Sequence, residues 1–255
     1  MLKARGRYYL DGNWKLVLFY LFFMPLMLSL GFWQLDRANQ KNEMQDIYER
    51  ASRLEPIPLQ NLALDEDANY RRVLLSGRFD ERKAFFLDNR VFRGQVGYDV
   101  IMPYFLDQPI MGNIEGEQRD FHYLFVNRGW IEQGPSREEL PSIPHARQAS
   151  DIEVILLPDL GRPFVLSETP MHGEWPELIQ YIDFHEMGGR VTSEQLYLNY
   201  PLLGRMTANS NGVLGGEWHA VNYDPNKHLG YAFQWFSMAG ALTILFLFVS
   251  IKREQ

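Results

Sequence analysis

The chain has 255 residues, 46% hydrophobic and 22% charged, with a formal net charge of −7 and no cysteine. A mean hydropathy of −0.28 excludes a chain made mostly of membrane spans, and the negative balance speaks against nucleic acid as a partner, because phosphate neutralisation needs the opposite sign. Without cysteine, stability must come from the core alone, and any metal or haem must be held by His, Met, Tyr or carboxylate.

Residues 1–15 carry Lys3, Arg5, Arg7 and Lys15 against Asp11 and precede Leu16 to Leu35, an uncharged apolar run long enough to cross a hydrocarbon core of about 30 Å. A cleaved signal peptide is the rival reading. The run exceeds a typical apolar h-region and no small-x-small cleavage pattern follows it before Trp33, so an uncleaved anchor is expected. Beyond it, Met44, Ile47, Tyr48 and Ala51 recur at helical steps, so the helix should continue to about Ser52 and stop before Pro56 and Pro58.

Strand-like segments follow, rich in β-branched and aromatic residues: 73–79, 84–91, 98–106, 121–131, 151–157, 164–167, 178–182, 196–200 and 218–223. Gly112 to Asp120 reads as a polar hairpin loop and Gly134 to Ser150 as a long surface connection. Asp183 to Met187 reads as a short helix capped by Asp183 and stopped by Gly188. A second uncharged span runs from Tyr231 to Ile251.

Residues 1–15 carry a net +3 and 252–255 a net +1, which leaves −11 for the section between them. By the positive-inside rule both tails are cytoplasmic. The expected class is an integral membrane α+β protein: an N-terminal tail (1–15), a transmembrane helix (16–35), a mostly β periplasmic domain (36–230), a second transmembrane helix (231–251) and a C-terminal tail (252–255). The absence of an Arg- and Ser-rich presequence favours a bacterial inner membrane.

Catalytic patterns are missing. His185-Glu186 resembles the start of a zinc-protease helix, but the second histidine would fall on Gly189. There is no nucleophile elbow and no phosphate-binding glycine loop. Chemistry concentrates at the outer edge of the two spans. His228, Tyr231, Ala232, Trp235 and Ala239 form one helical stripe, provided the helix begins by about residue 228. Antiparallel packing sets Trp33 level with Trp235, Gln34 near Gln234, and Arg37 near Tyr231. Two readings stand: an aromatic belt with polar anchors, or a cofactor site with a histidine ligand, aromatic walls and an arginine for a carboxylate.

Five blocks carry a resemblance. Leu30-Gly31-Phe32-Trp33-Gln34-Leu35-Asp36-Arg37 is followed by Tyr70-Arg71-Arg72-Val73 with Gly77 and Phe79, then Asn89-Arg90 and Gly97-Tyr98-Asp99-Val100 with Pro103. Val126-Asn127-Arg128-Gly129-Trp130 and His228-Leu229-Gly230-Tyr231-Ala232-Phe233-Gln234-Trp235-Phe236 complete the series. In this order and between two spans, they resemble the surfeit-locus-one family of cytochrome c oxidase assembly factors. The resemblance implies a non-enzymatic role in building haem-copper oxidase, with oxidase subunit I and other assembly factors as partners and a haem a synthesis enzyme as a further one. For bacterial members it implies transient haem a binding, with His228 as the iron ligand and Arg37, Tyr231, Gln234, Trp235, Trp33 and Gln34 in supporting places. Arg90 and Arg128 are read as buried structural partners for acidic groups, in preference to forks presented to a carboxylate on haem or a partner. The alternative to a haem chaperone is a membrane-tethered scaffold that binds no cofactor, with Ala239, Gly240 and Ala241 at a close helix contact.

Overall fold

A computed structural model describes residues 8–10, 13–62, 68–114, 117–135, 139–146, 151–158, 173–192, 198–216 and 225–253. The chain divides into two compact units, one formed by residues 1–46 with 219–255 and the other by residues 47–218.

The first unit holds two long helices, α1 (Trp14–Arg53), whose last turns belong to the second unit, and the C-terminal α3 (Pro225–Ser250). Their apolar windows have mean hydropathies of 2.1 and 1.8, and both are long and apolar enough to cross a membrane. Leu18, Phe22, Phe233, Ile244 and Phe248 are exposed along them, which a water-soluble helix pair would bury. Beyond the helices, β1 (Tyr8–Leu10) and β11 (Ile251–Arg253) pair antiparallel, so the two tails meet at one end of the helix pair.

The second unit is mostly β. In chain order it contains β2 (Ile57–Pro58), β3 (Arg72–Phe79), β4 (Phe85–Phe92), β5 (Gln95–Ile114), β6 (Glu117–Glu132), β7 (Asp151–Leu157), β8 (Glu177–Ile179), the helix α2 (Phe184–Val191), β9 (Leu198–Asn199) and β10 (Leu203–Met206). Five of these close on themselves. β3 pairs with β7, β7 with β10, β10 with β6, β6 with β5, and β5 returns to β3 through Gly77↔Leu106 and Phe79↔Tyr104. Strand β5 makes this possible by its length, since its first half pairs with β4 and a later stretch pairs with β3 while β6 runs along its other edge. Closure pairs these five strands on both sides, while β2 and β8 stand at the ends of the strand order.

Period-two alternation fills the barrel. Val73, Leu75, Leu124, Val126, Ile152, Val154, Leu156 and Met206 point into one buried cluster, each burial worth roughly 1.5–3 kcal/mol. Gly204 faces the same interior, where an added Cβ would press on Leu124, Val126 and Val154 at 3.1–3.3 Å. On the opposite face Phe85, Leu87, Ile101, Tyr123 and Phe125 pack against Met187 and Val191 of α2. That helix starts where Asp183 accepts bonds from the backbone N–H groups of His185 (3.0 Å) and Glu186 (2.9 Å), and it runs on through Gly188 to Val191 instead of stopping at the glycine.

Other expectations need correction. Gly112 to Asp120 is not a loop: residues 112–114 and 117–120 are paired strand arms, extended because the backbone ladder continues past the polar side chains. The connection after Gly134 has no regular structure in its described part, but Ala146 is buried, not exposed. Strand β10 has no counterpart among the expected segments. The expected strands 164–167 and 218–223 lie outside the described residues.

Candidate functional site

In the first unit small residues decide how closely the helices pack. Gly31 and Ala38 of α1 are buried, as are Ala232 and Ala239 of α3, and the seven-residue spacing in each helix keeps them on one seam. At Gly31 a Cβ would lie 2.6 Å from the Phe236 ring, so glycine is what lets that ring settle on the α1 backbone. Gly240 and Ala241, expected beside Ala239 at the contact, are exposed.

Two polar contacts cross the seam. His228 donates from Nδ1 to Oε1 of Gln34 at 2.7 Å, and Tyr20 meets the Thr243 hydroxyl at 3.2 Å. Fourteen residues of α1 separate them, about 21 Å along the axis. Gln34 is 9% exposed, and a buried amide without a bond would cost roughly 1–3 kcal/mol. In the neutral tautomer that donates from Nδ1, the imidazole lone pair is at Nε2. This is how metal-ligating histidines are commonly oriented by a neighbouring acceptor.

The residues singled out in the sequence divide into two groups. Gln34, His228, Ala232, half-buried Trp235 and Ala239 lie on the seam. Trp33, Arg37, Tyr231 and Gln234 are exposed on the flanks. Gln34 meets His228 and not Gln234, because the seam selects every third or fourth residue and Gln234 falls outside it. Arg37 turns along its own helix: its guanidinium lies 5.9 Å over the Trp33 ring and donates to Gln40 at 2.9 Å, and Gln40 in turn donates to Asp36.

In the second unit the motif blocks converge on two polar centres that the sequence left apart. Arg128 is 1% exposed and binds backbone, not acid. It donates to the Gly212 carbonyl at 2.8 and 3.0 Å, to the Pro144 carbonyl at 3.0 Å, and lies 5.5 Å over the Phe79 ring. Burial pushes its pKa below the usual arginine range, with Glu81 opposing. The second centre gathers Arg90, Asp99, Asn127 and Arg205 from four strands. Arg90 stands 3.5 Å from Asp99, whose carboxyl burial pushes up against the attraction of Arg90 and Arg205. Burial pushes Arg205 down to about 9. Asn127 accepts the Gly129 N–H at 2.9 Å and holds that glycine at φ +125, where a Cβ would strike the Gly215 and Leu214 carbonyls at 2.8 Å.

Arg90 thus has an acidic partner and Arg128 has carbonyls. No single-sequence pattern announced the convergence, because the strands that supply it are far apart in the chain. The seven-residue spacing of Gly31 with Ala38 and of Ala232 with Ala239 is the sequence signal that would have found the helix seam. Among the described residues no group of three or more His, Asp or Glu could hold a metal ion. His172 and His219 lie outside the described residues.

Comparison with known proteins gives a consistent set. The SURF1 family model matches residues 21–240. The chain is 30% identical to the cytochrome oxidase assembly protein SHY1 of Saccharomyces cerevisiae over 149 residues, 56% of this chain and 36% of the yeast protein. It is 24% identical to Surfeit locus protein 1 of Xenopus tropicalis over 85% of this chain and 70% of that protein. For Surfeit locus protein 1 of Takifugu rubripes the identity is 23%, over 88% and 92%.

Proposed function

The chain belongs to the SURF1 family, and on that premise we propose that it is a membrane-anchored assembly factor for cytochrome c oxidase that carries haem a to the catalytic subunit. The name of its yeast relative states the assembly role for that protein. In this reading α1 and α3 span a bacterial plasma membrane, both tails are cytoplasmic, and the β unit stands in the periplasm. Oxidase subunit I and other assembly factors are the partners.

The observation that supports haem handling is the His228–Gln34 bond at the end of an apolar helix pair. With Gln34 accepting from Nδ1, His228 would hold haem iron through its other ring nitrogen. Trp33 and Tyr231 are exposed aromatic surfaces on the same turns, suited to a porphyrin face. Arg37 is exposed, and exchanging its neutral partner Gln40 for a propionate would make a charge-assisted pair. The lipid-facing sides of the helices take an isoprenoid tail at no desolvation cost. A single protein ligand suits cargo that must be released.

A scaffold without cargo is the second reading, and the same hydrogen bond carries it as a clasp that holds the helices in register. Complementation separates the two. In a strain lacking this chain, oxidase assembly should fail, the wild type should restore it, and His228→Ala should restore the apoprotein subunits without haem a. Full haem insertion with His228→Ala would favour the scaffold, and normal oxidase in the deletion strain would remove the assembly role itself.

A further inference from the structure

Val91 is 66% exposed and Val96 45%, and the two sit opposite each other at the tip of the β4–β5 hairpin. Only Arg93 and Gly94 connect the strands, with φ of 50° and 81°. Positive φ at both central residues is the two-residue turn whose twist matches a hairpin, so the tip is stiff.

Its other side is built around a tryptophan. Phe92 packs on Trp130 with ring centroids 5.4 Å apart, the Arg93 guanidinium lies 5.1 Å from the Phe92 ring, and Trp130 donates from Nε1 to the Arg90 carbonyl at 3.2 Å. Gly97 leaves the room, since a Cβ there would lie 2.5 Å from the Trp130 ring. Arg90 is paired with Asp99 and Gln95 donates to Glu132 at 3.0 Å, so Arg93 is the cation at the turn itself, in a section of chain that carries −11.

An exposed aliphatic pair, aromatic support and arginine on one rigid turn match the composition of protein segments at a bilayer interface. The Arg93 guanidinium is complementary to lipid phosphate. We propose that this hairpin tip is a shallow membrane-docking element, seating Val91 and Val96 among lipid headgroups with Arg93 at a phosphate; it rests on the reading that α1 and α3 anchor the chain in a membrane. Two valines bind weakly alone, but a tethered unit meets the bilayer at high effective concentration, so weak contact suffices.

The chain has no cysteine, so single-cysteine variants can be labelled cleanly. The full chain is placed in anionic lipid nanodiscs with an environment-sensitive dye at Val91→Cys, Val96→Cys, Met111→Cys (on the other hairpin) or Ile244→Cys (within α3), each checked for unchanged melting. The expected result is blue-shifted emission at 91 and 96, quenching by headgroup-level nitroxide lipid and protection from aqueous iodide, with Met111→Cys open to iodide. Arg93→Glu should diminish the shift at 96. Lipid quenching at 244 with 91 and 96 as exposed as 111 would overturn the docking tip while leaving the anchor standing. No lipid quenching at 244 would overturn the anchor and this inference with it. Shielding of 91 that arises only when an oxidase subunit is added would assign the tip to a protein interface and overturn lipid docking.

Discussion

Burying the Gln34 amide between apolar helices costs free energy unless it is bonded, and His228 supplies the bond. Removing one partner therefore differs from removing both. His228→Leu should destabilise the chain in detergent by roughly 1–2 kcal/mol, whereas the double change with Gln34→Leu should be nearly neutral. Melting curves of the wild type, the two single variants and the double variant test this, and additive losses would contradict the bond. Arg128 is a harder case, because its guanidinium satisfies two backbone carbonyls inside the β unit. Arg128→Met should cost about 3 kcal/mol, read as a lowered melting temperature. Glu81 shows a pH effect of definite sign. The His145 bond at 2.7 Å, and after it the Ala146 N–H, hold its carboxyl below the usual glutamate range despite some burial. A carboxyl with a depressed folded-state pKa contributes stability above its unfolded pKa and loses it as pH falls through the folded one. Between about pH 5 and pH 3 the wild type should thus lose melting temperature more steeply than Glu81→Gln; parallel curves would remove the linkage. The sequence showed which histidine sits at the helix boundary. It could not show which glutamine faces it, since that depends on the seam between two helices nearly two hundred residues apart.

Glycine marks places where whole elements approach each other closely. At Gly77, where β3 meets β5 to close the barrel, an added Cβ would lie 2.0 Å from the Phe105 carbonyl oxygen. Backbone cannot yield as a side chain can. Gly77→Ala should therefore force the seam apart and cost about 3 kcal/mol, the upper part of the overpacking range, with faster proteolysis of the β unit as the readout. Both helices were legible from charge-free runs, and β7 from its β-branched and aliphatic residues between Asp151 and Leu157. Central strands were found but cut short: β5 and β6 continue to Ile114 and back from Glu117, where exposed polar side chains hide a ladder made by backbone alone. β10 was missed because Leu203-Gly204-Arg205-Met206 is short and glycine-bearing. Its strand character comes from Leu156 and Val126 beside it, which is tertiary context overriding propensity.

At the scale of the molecule, family membership was legible because the motif blocks occur in order. The closed barrel was not, since closure depends on β5 changing partners along its length. Charge also divides by region, with basic tails around an acidic middle section, which is the sign the proposed orientation requires. The proposed haem role joins the apolar helices, one oriented histidine and exposed aromatic surface into one function. The direct measurement is the visible spectrum of the detergent-purified full chain co-expressed with the haem a pathway, for wild type, His228→Ala and Gln34→Leu, with melting curves to confirm folding. The account predicts a haem a band in the wild type, loss of it in His228→Ala, and weaker occupancy in Gln34→Leu, about 10- to 100-fold as for a lost orienting partner. A wild-type band that persists unchanged in folded His228→Ala, or no band in any of the three, would contradict it.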